Sequence, residues 1–233
     1  MRQVRKILIE LKTGKKYFVK DEDEFHTSSG VVNVSQNGPV SSEKGTKFMV
    51  IEPSFKDMWD NLQKGPAIVI EKDIGLILAK TGVGKNSCVV DAGGGSGSLC
   101  LSLANVCKEV TVYEINPEHL KVIQKNIVAF GIDNISLKQD NVYDGIEETE
   151  IDLLTLDLPE PWRVNFDCLK LGGFLAVYLP NLTQVKRFID SAPITVLETV
   201  EVIERKWKIE GPVMRPEHQM LGHTAFLVFC RKL

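Results

Sequence analysis

Short apolar runs separated by turn residues make up the first 62 residues. The segments KILIELK, KKYFVK, VVNVSQ and KFMVIEP are rich in β-branched and aromatic residues and predict short strands. GPVSSEKG predicts a loop, and PSFKDMWDNLQKG predicts a helix that starts at Pro53 or Ser54 and stops at Gly65. Residues 1–62 therefore predict a small β-rich N-terminal domain.

After this point the rhythm changes, because strand-like and helix-like segments take turns. Apolar β-branched runs predict strands in SCVVDAG, EVTVYEIN, NISLKQDN, IDLLTLD and GFLAVYLPN. Helical periodicity predicts helices in DIGLILAKTG, SGSLCLSLANVC, PEHLKVIQKNIVAFG, WRVNFDCLKLG and TQVKRFIDSA. The tail predicts a long bent strand in TVLETVEVIERKWKIEG and a last strand in HTAFLVFCRKL.

This alternation has a topological consequence. Parallel strands need crossover connections, so residues 63–233 predict a Rossmann-like α/β domain with a mainly parallel seven-stranded sheet and helices on both faces. The last two strands follow one another without a helix. They predict an antiparallel hairpin, with an antiparallel C-terminal strand, at one edge of the sheet.

Composition narrows the class of protein. Hydrophobic residues make up 43% of the 233 residues, enough for one core and a small second unit. No apolar run approaches the length of a membrane span, and Glu10 and Lys12 interrupt the N-terminal apolar stretch. Neither a membrane protein nor a signal peptide is therefore predicted, and the expected location is the cytoplasm.

Five cysteines occur, and no two of them form a CxxC pair. Most stand inside apolar runs such as SCVV and LVFC. Buried free thiols are expected, with neither a disulfide framework nor a metal site.

The charge is unevenly spread along the chain. Residues 1–80 carry 13 Lys and Arg against 11 Asp and Glu, residues 81–201 carry 9 against 17, and residues 202–233 carry 6 against 3. An acidic middle suits a cationic small ligand and basic ends suit a polyanion, although ordinary solvated surfaces show the same pattern.

A glycine-rich turn follows the first strand of the second domain. In VVDAGGGSGSLCLSLA the strand reaches Asp91, the turn contains Gly93, Gly95 and Gly97, and a helix starts near Ser98. Alternating glycines let a ligand lie against the backbone and permit positive φ. The spacing is G-x-G-x-G rather than the dinucleotide fingerprint G-x-G-x-x-G, which disfavours a pyrophosphate site.

Acidic residues end the next two strands. Glu114, followed by Ile115, can accept hydrogen bonds from both hydroxyls of a ribose. Asp140, followed by Asn141 and Val142, can accept an amino hydrogen from a purine. Successive strand ends meet at one edge of a parallel sheet, where such sheets bind ligands.

This order of glycine loop and acidic strand ends resembles the class I S-adenosylmethionine-dependent methyltransferases. The resemblance covers about residues 66–233 and implies S-adenosyl-L-methionine as the cofactor, with Glu114 at the ribose and Asp140 at the adenine. The cofactor-binding residues that it implies are Val69, Asp91, Gly93, Gly95, Gly97, Ser98, Glu114, Ile115, Asp140, Asn141, Val142 and Asp157.

The stretch TLDLPEPW lies where the fourth strand ends. Pro159 and Pro161 keep the chain extended, because each lacks an N–H and restricts the preceding residue. Asp157 is therefore expected at the lip of the crevice, and Trp162 can stack on a base. The alternative is that Asp157 caps a turn and Trp162 fills the core.

Several segments resemble a narrower family, the tRNA (adenine-N1)-methyltransferases. DLPEPW is similar to its Asp-x-Pro-x-Pro-Trp motif, and RPEHQMLGHTAFLVF is similar to its Arg-(x)n-Gly-His-Thr signature. FHTSSGVVNVS and SSEKGTKFMVIEP are similar to its N-terminal β domain. Residues 64–78 are similar to its segment ahead of the glycine loop; they lack the usual Gln and Tyr but keep Gly65, Lys72 and Asp73.

This family resemblance implies methylation of adenine N1 in the T-loop of tRNA, at position 58 and also at position 57, by an RNA-binding homotetramer. Asp157 is implied as the catalytic residue that orients the base through its N6 amine and offsets the charge developing there. The implied substrate-binding residues are Trp162, Tyr178, Arg215 and His223. A core role for Tyr178 and a structural role for His223 stay open.

Two other functions stay open as well. A methyltransferase acting on a small molecule such as a precorrin also has a compact acidic core, but its substrate binding should not depend on salt as tRNA binding does. A non-catalytic RNA-binding subunit should have lost the glycine loop and the fourth-strand acid, both of which this chain keeps.

Overall fold

The structure is a computed structural model that describes residues 4–63, 65 and 68–233. The chain divides into two compact units, and the second consists of residues 65–121 with 134–233. The first unit combines the chain up to residue 64 with residues 122–133. The domain limits inferred from the sequence stay a prediction.

The N-terminal part is built from short antiparallel strands and one short helix. Its elements are β1 (Lys6–Glu10), β2 (Lys16–Val19), β3 (Glu24–Thr27), β4 (Gly30–Asn33), β5 (Gly38–Ser41), β6 (Lys47–Ile51) and α1 (Phe55–Asp60). Four of the strands form a sheet in the order β2-β1-β6-β5, and β3 pairs with β4. Leu8, Phe48 and Val50 are fully buried in its core.

Two predicted boundaries in this part are wrong. GPVS is strand β5 rather than loop; it is an edge strand, where Pro39 costs no ladder hydrogen bond, and Val40 packs on the core. Helix α1 starts at Phe55, directly after its N-cap Ser54, which forms a capping box with Asp57, but it ends at Asp60 instead of reaching Gly65.

The rest of the chain alternates strands and helices. Its elements are α2 (Glu71–Thr81), β7 (Cys88–Ala92), α3 (Ser98–Ala104), β8 (Glu109–Tyr113), α4 (Pro117–Phe130), β9 (Ile135–Lys138), β10 (Ile151–Leu156), β11 (Leu169–Leu179), α5 (Leu182–Ser191), β12 (Thr195–Val200), β13 (Trp207–Glu210), β14 (Val213–Pro216) and β15 (Phe226–Arg231), with 3-10 turns at Val142–Asp144 and Pro161–Arg163.

Seven of these strands form one sheet in the order β12-β15-β11-β10-β7-β8-β9. Strands β7 to β11 pair in parallel, whereas β15 pairs antiparallel with both β11 and β12. The predicted fold class, with its antiparallel C-terminal strand, is confirmed. The strand at the edge is β12, because β15 lies between β12 and β11.

Two other local predictions are wrong. WRVNFDCLKLG forms no α-helix, because Val164, Phe166 and Cys168 are buried at every second position, which is the period of an extended chain. TVLETVEVIERKWKIEG is not one strand: β12 ends at Val200, and β13 pairs with β14 in a separate two-stranded sheet.

No helix in the described part of the chain has the length and apolar character needed to cross a membrane. All five cysteines are free thiols, and four of them are buried, which confirms the prediction of buried thiols.

Candidate active site

The carboxyl ends of β7, β8 and β10 lie side by side and bring three acidic residues together. Asp91 pairs in register with Thr155, and Asp157 follows β10 directly, while Glu114 follows β8. The charges of Asp157 and Glu114 both act on Asp91. Asp91, Glu114 and Asp157 therefore lie close together at this edge of the sheet.

Asp91 is almost completely buried. The Thr155 hydroxyl donates a hydrogen bond of 2.6 Å to Asp91 Oδ1. Burial, reinforced by the charges of Asp157 and Glu114, raises the pKa of Asp91 to about 7, although the Thr155 bond opposes this. Thr155 was not identified from the sequence; its position two residues before Asp157 places both on one face of β10.

Asp157 is half-buried at the end of β10, where its backbone N–H donates to the Ala92 carbonyl at 2.9 Å. Burial, and then the charge of Glu114, raises the pKa of Asp157 to about 6. Within the described residues no group donates a hydrogen bond to this carboxylate. Among the described residues Asp157 therefore caps no turn, and none of them occupies its carboxylate oxygens.

The glycine loop packs directly on Asp157. Gly93, Gly95 and Gly97 have φ values of 93°, 53° and 85°, the left-handed region that favours glycine. A Cβ added to Gly93 would lie 2.2 Å from the carbonyl oxygen of Asp157. The loop is therefore a close-fitting backbone cradle, and Gly97 leads into α3, whose first residue Ser98 is buried.

Glu114 fastens this loop to the end of β8. Its Oε2 accepts from the Gly95 N–H at 3.0 Å and lies 3.3 Å from His119 Nδ1, and its Oε1 accepts from the Asn116 N–H at 2.8 Å. Each carboxylate oxygen has two lone pairs, so Oε1 keeps capacity for a hydroxyl donor. Ile115 beside it is 65% exposed.

The end of β9 borders a cleft of about 270 Å³ lined by Asp140, Asn141 and Tyr113. Asp140 and Asn141 are exposed, and the Asn141 side chain accepts from the Tyr143 N–H at 3.2 Å. Val142 is buried. Val69 is buried just before α2, and its part in cofactor binding stays a prediction.

Trp162 packs partly on the core, and the guanidinium of Arg187 lies 4.2 Å from its ring centroid. The loop around it is braced by a hydrogen bond of 3.2 Å from the Gln184 side chain to the Pro159 carbonyl. One face of the indole is therefore already occupied. The stacking of Trp162 on a base stays a prediction.

Tyr178 lies one residue beyond the pair Leu156–Val177, so it stands level with Asp157 on the neighbouring strand. Its hydroxyl is 3.4 Å from Oδ2 of the buried Asp73. Burial, followed by the negative charge of Asp73, raises the pKa of Tyr178 to about 12, which keeps the phenol neutral.

The other two candidates lie in the C-terminal part. His223 Nδ1 lies 2.5 Å from Glu201 Oε1 and Nε2 lies 2.9 Å from the Pro180 carbonyl, and these acceptors, Glu201 first, raise its pKa. The arrangement suits a doubly protonated ring that ties this segment to the end of β11. Arg215 lies on β14, outside the main sheet, and its guanidinium donates to the Pro216 carbonyl at 3.3 Å.

Comparisons with known proteins were made for the sequence and for the fold. The family model for the tRNA methyltransferase complex GCD14 subunit matches residues 48–214. The tRNA (adenine(57)-N(1)/adenine(58)-N(1))-methyltransferase TrmI of Methanocaldococcus jannaschii is 29% identical over 266 residues, covering 97% of this chain and 94% of that protein. The "Probable cobalt-precorrin-6B C(15)-methyltransferase (decarboxylating)" of Methanothermobacter thermautotrophicus is 30% identical over only 109 residues, 44% of this chain and 57% of that protein.

Two solved structures cover the whole chain. A SAM-dependent O-methyltransferase from Thermotoga maritima superposes with a TM-score of 0.86 at 26% identity, covering 94% of that chain. The tRNA (m1A58) methyltransferase TrmI from Aquifex aeolicus superposes with a TM-score of 0.81 at 26% identity, covering 98% of that chain.

Proposed function

Because the chain belongs to the family of the GCD14 subunit of the tRNA methyltransferase complex, we propose that it methylates N1 of an adenine in tRNA, with S-adenosylmethionine as the methyl donor. The observation that carries the proposal is the carboxylate of Asp157. It stands half-buried against the glycine loop, and no described group donates a hydrogen bond to it.

The residues at the sheet edge suit this cofactor, which supplies an electrophilic methyl group on a cationic sulfur. The acidic side chains of Glu114 and Asp91 make the crevice favourable for a cation. The alternating glycines of the loop let a ligand lie against its backbone, Glu114 Oε1 can accept from a ribose hydroxyl, and Asp140 can accept from an adenine amine.

Asp157 acts on the target base. Adenine N1 is neutral at pH 7 and has an in-plane lone pair, so no base has to remove a proton before methylation. As N1 becomes alkylated, positive charge spreads to the N6 amine, and a carboxylate bonded to N6–H binds the transition state more strongly than the ground state. Asp157 thus orients the base and can accept the N6 proton afterwards.

Incubation of unmodified tRNA with the protein and S-adenosylmethionine, followed by nucleoside mass spectrometry, tests this function. We expect 1-methyladenosine, formed by the wild type and strongly reduced in Asp157→Ala. A protein that binds the cofactor but leaves the tRNA adenines unmodified would exclude the proposal. Mapping of the modified fragment tests the finer expectation that the methylated adenine is at position 58, and also at position 57.

We also propose that the protein acts in the cytoplasm as an RNA-binding homotetramer. Support for self-association comes from the β13–β14 hairpin, where Trp207, Ile209 and Met214 are 58%, 72% and 72% exposed. Sedimentation velocity should show a tetramer, and Ile209→Lys should shift it to smaller species. A monomeric wild type would contradict the tetramer.

A precorrin-type substrate is the alternative, but the match to the cobalt-precorrin enzyme extends over only 44% of this chain. Binding of tRNA to the basic ends should weaken steeply as salt rises, because phosphate contacts release counterions. A non-catalytic subunit is disfavoured because the glycine loop and Asp157 are both present. Calorimetry of S-adenosylmethionine binding distinguishes the enzyme from a non-catalytic subunit.

A further inference from the structure

A buried ion pair lies at the start of α2, beside the candidate site. The Lys72 ammonium is 2.7 Å from Asp73 Oδ1, with exposed side-chain fractions of 5% and 0%. Burying two charges costs several kcal/mol per ion, and an apolar pair of similar volume would often serve stability equally well. The pair therefore calls for an explanation other than stability.

Thr224 and Tyr178 complete a closed network around this pair. The Thr224 hydroxyl donates to Asp73 Oδ2 at 2.7 Å and accepts from Lys72 Nζ at 2.6 Å. The Tyr178 hydroxyl lies 3.4 Å from the same Oδ2. The Asp73 carboxylate thus links α2 to the end of β11 and to the segment before β15.

We propose that Asp73 is a positioning residue, which together with Thr224 fixes the hydroxyl of Tyr178 so that the tyrosine ring stands beside Asp157 where the target adenine enters. The proposal rests on the proposed function. Its geometric basis is the register of β10 and β11, which places Tyr178 level with Asp157, and the contact of 3.4 Å between the Tyr178 hydroxyl and Oδ2 of Asp73.

A double-mutant cycle of Asp73→Asn and Tyr178→Phe tests the proposal in tRNA methylation. Asp73→Asn should lower kcat about tenfold or more, because small displacements of a positioning group have effects of this size. It should leave the Kd of S-adenosylmethionine within about twofold, and it should add little further loss in the Tyr178→Phe background. Glu71→Gln, which removes an exposed charge from the same helix turn, is the matched control and should leave kcat unchanged.

A second measurement does not depend on methylation. Because Asp73 is the second-largest cause of the raised pKa of Tyr178, Asp73→Asn should bring tyrosinate ultraviolet absorbance to lower pH than in the wild type, toward the ordinary value of 10.0. The shift should be absent in the Asp73→Asn/Tyr178→Phe protein.

Fully additive losses of kcat, or an unchanged tyrosine titration, would overturn the proposal. If Asp73→Asn fails to fold because Lys72 is left unpaired, the charge-balanced variant Lys72→Met/Asp73→Asn takes its place with the same expectations. If the wild type does not methylate tRNA, the proposed function fails by itself, and the titration still decides whether Asp73 holds the phenol.

Discussion

Asp57 in the first unit and Asp157 in the second unit are both largely shielded carboxylates. Their surroundings nevertheless shift their pKa values in opposite directions. Asp57 receives a hydrogen bond of 2.6 Å from Lys16 and one of 2.7 Å from the Ser54 hydroxyl. These donors, Lys16 first, lower the pKa of Asp57 to about 2. Among the described residues no group donates to the carboxylate of Asp157, and burial raises its pKa to about 6.

The difference in hydrogen-bond donors indicates a different role for each carboxylate. A carboxylate supplied with donors stabilises the fold, as Asp57 does by capping α1. A carboxylate held in a shielded place without donors costs stability, and it keeps its full hydrogen-bonding capacity for a ligand.

The largest expected effect is on catalysis by Asp157. Asp157→Ala should lower kcat by about 10²-fold or more, the size of one transition-state electrostatic contact, with nearly unchanged cofactor affinity. Asp57→Ala is the matched control and should leave kcat intact. Near-normal turnover of Asp157→Ala in single-turnover assays would remove this residue from the mechanism.

The next-largest effect is expected on cofactor binding when Gly93 is substituted. Gly93→Ala places a Cβ 2.2 Å from the Asp157 carbonyl oxygen at a φ of +93°, so the loop or Asp157 must move. Strain of this kind costs about 1–3 kcal/mol, and we expect about tenfold weaker binding of S-adenosylmethionine by calorimetry. Gly84→Ala, where the added Cβ meets no atom within 4 Å, should bind normally. Equal affinities in the two variants would contradict the close fit.

Protonation of Asp157 provides a graded test. Because its pKa is raised to about 6, kcat/KM should fall about tenfold per pH unit below that value, whereas binding of the cofactor should change little over the same range. The residual activity of Asp157→Asn should lack this step. A wild-type profile that stays flat down to pH 4 would show that the ionised form of Asp157 is not required.

The smallest expected effect is on how the free energy of unfolding depends on pH. Its sign is opposite for Asp57 and Asp157. The lowered pKa of Asp57 stabilises the fold above pH 3.8, and this contribution is lost as the pH falls toward about 2. The raised pKa of Asp157 acts the other way: its contribution is present below pH 3.8 and is lost as the pH rises through about 6. In urea titrations, Asp57→Asn should therefore abolish the fall in the free energy of unfolding at acid pH, at a cost of about 1 kcal/mol at neutral pH. Asp157→Asn should not abolish that fall.

Much of the site could be predicted from local sequence. The glycines of the loop and the strand-end positions of Asp91, Glu114 and Asp157 follow from short-range patterns, because φ preference and strand period act over a few residues. The same rules failed for WRVNFDCLKLG, where Val164 and Phe166 alternate into the core although the segment also has helical spacing. Tertiary burial decided between the two periods.

The amino-acid sequence by itself determined the succession of strands and helices, the glycine cradle and the acids at the strand ends. Only the tertiary structure decided which carboxylates receive donors. Thr224 donates to Asp73 across 151 positions of the chain, and Lys16 reaches Asp57 across 41. A hydrogen bond requires two groups within about 3 Å, and no local pattern specifies which distant residues the folded backbone brings that close.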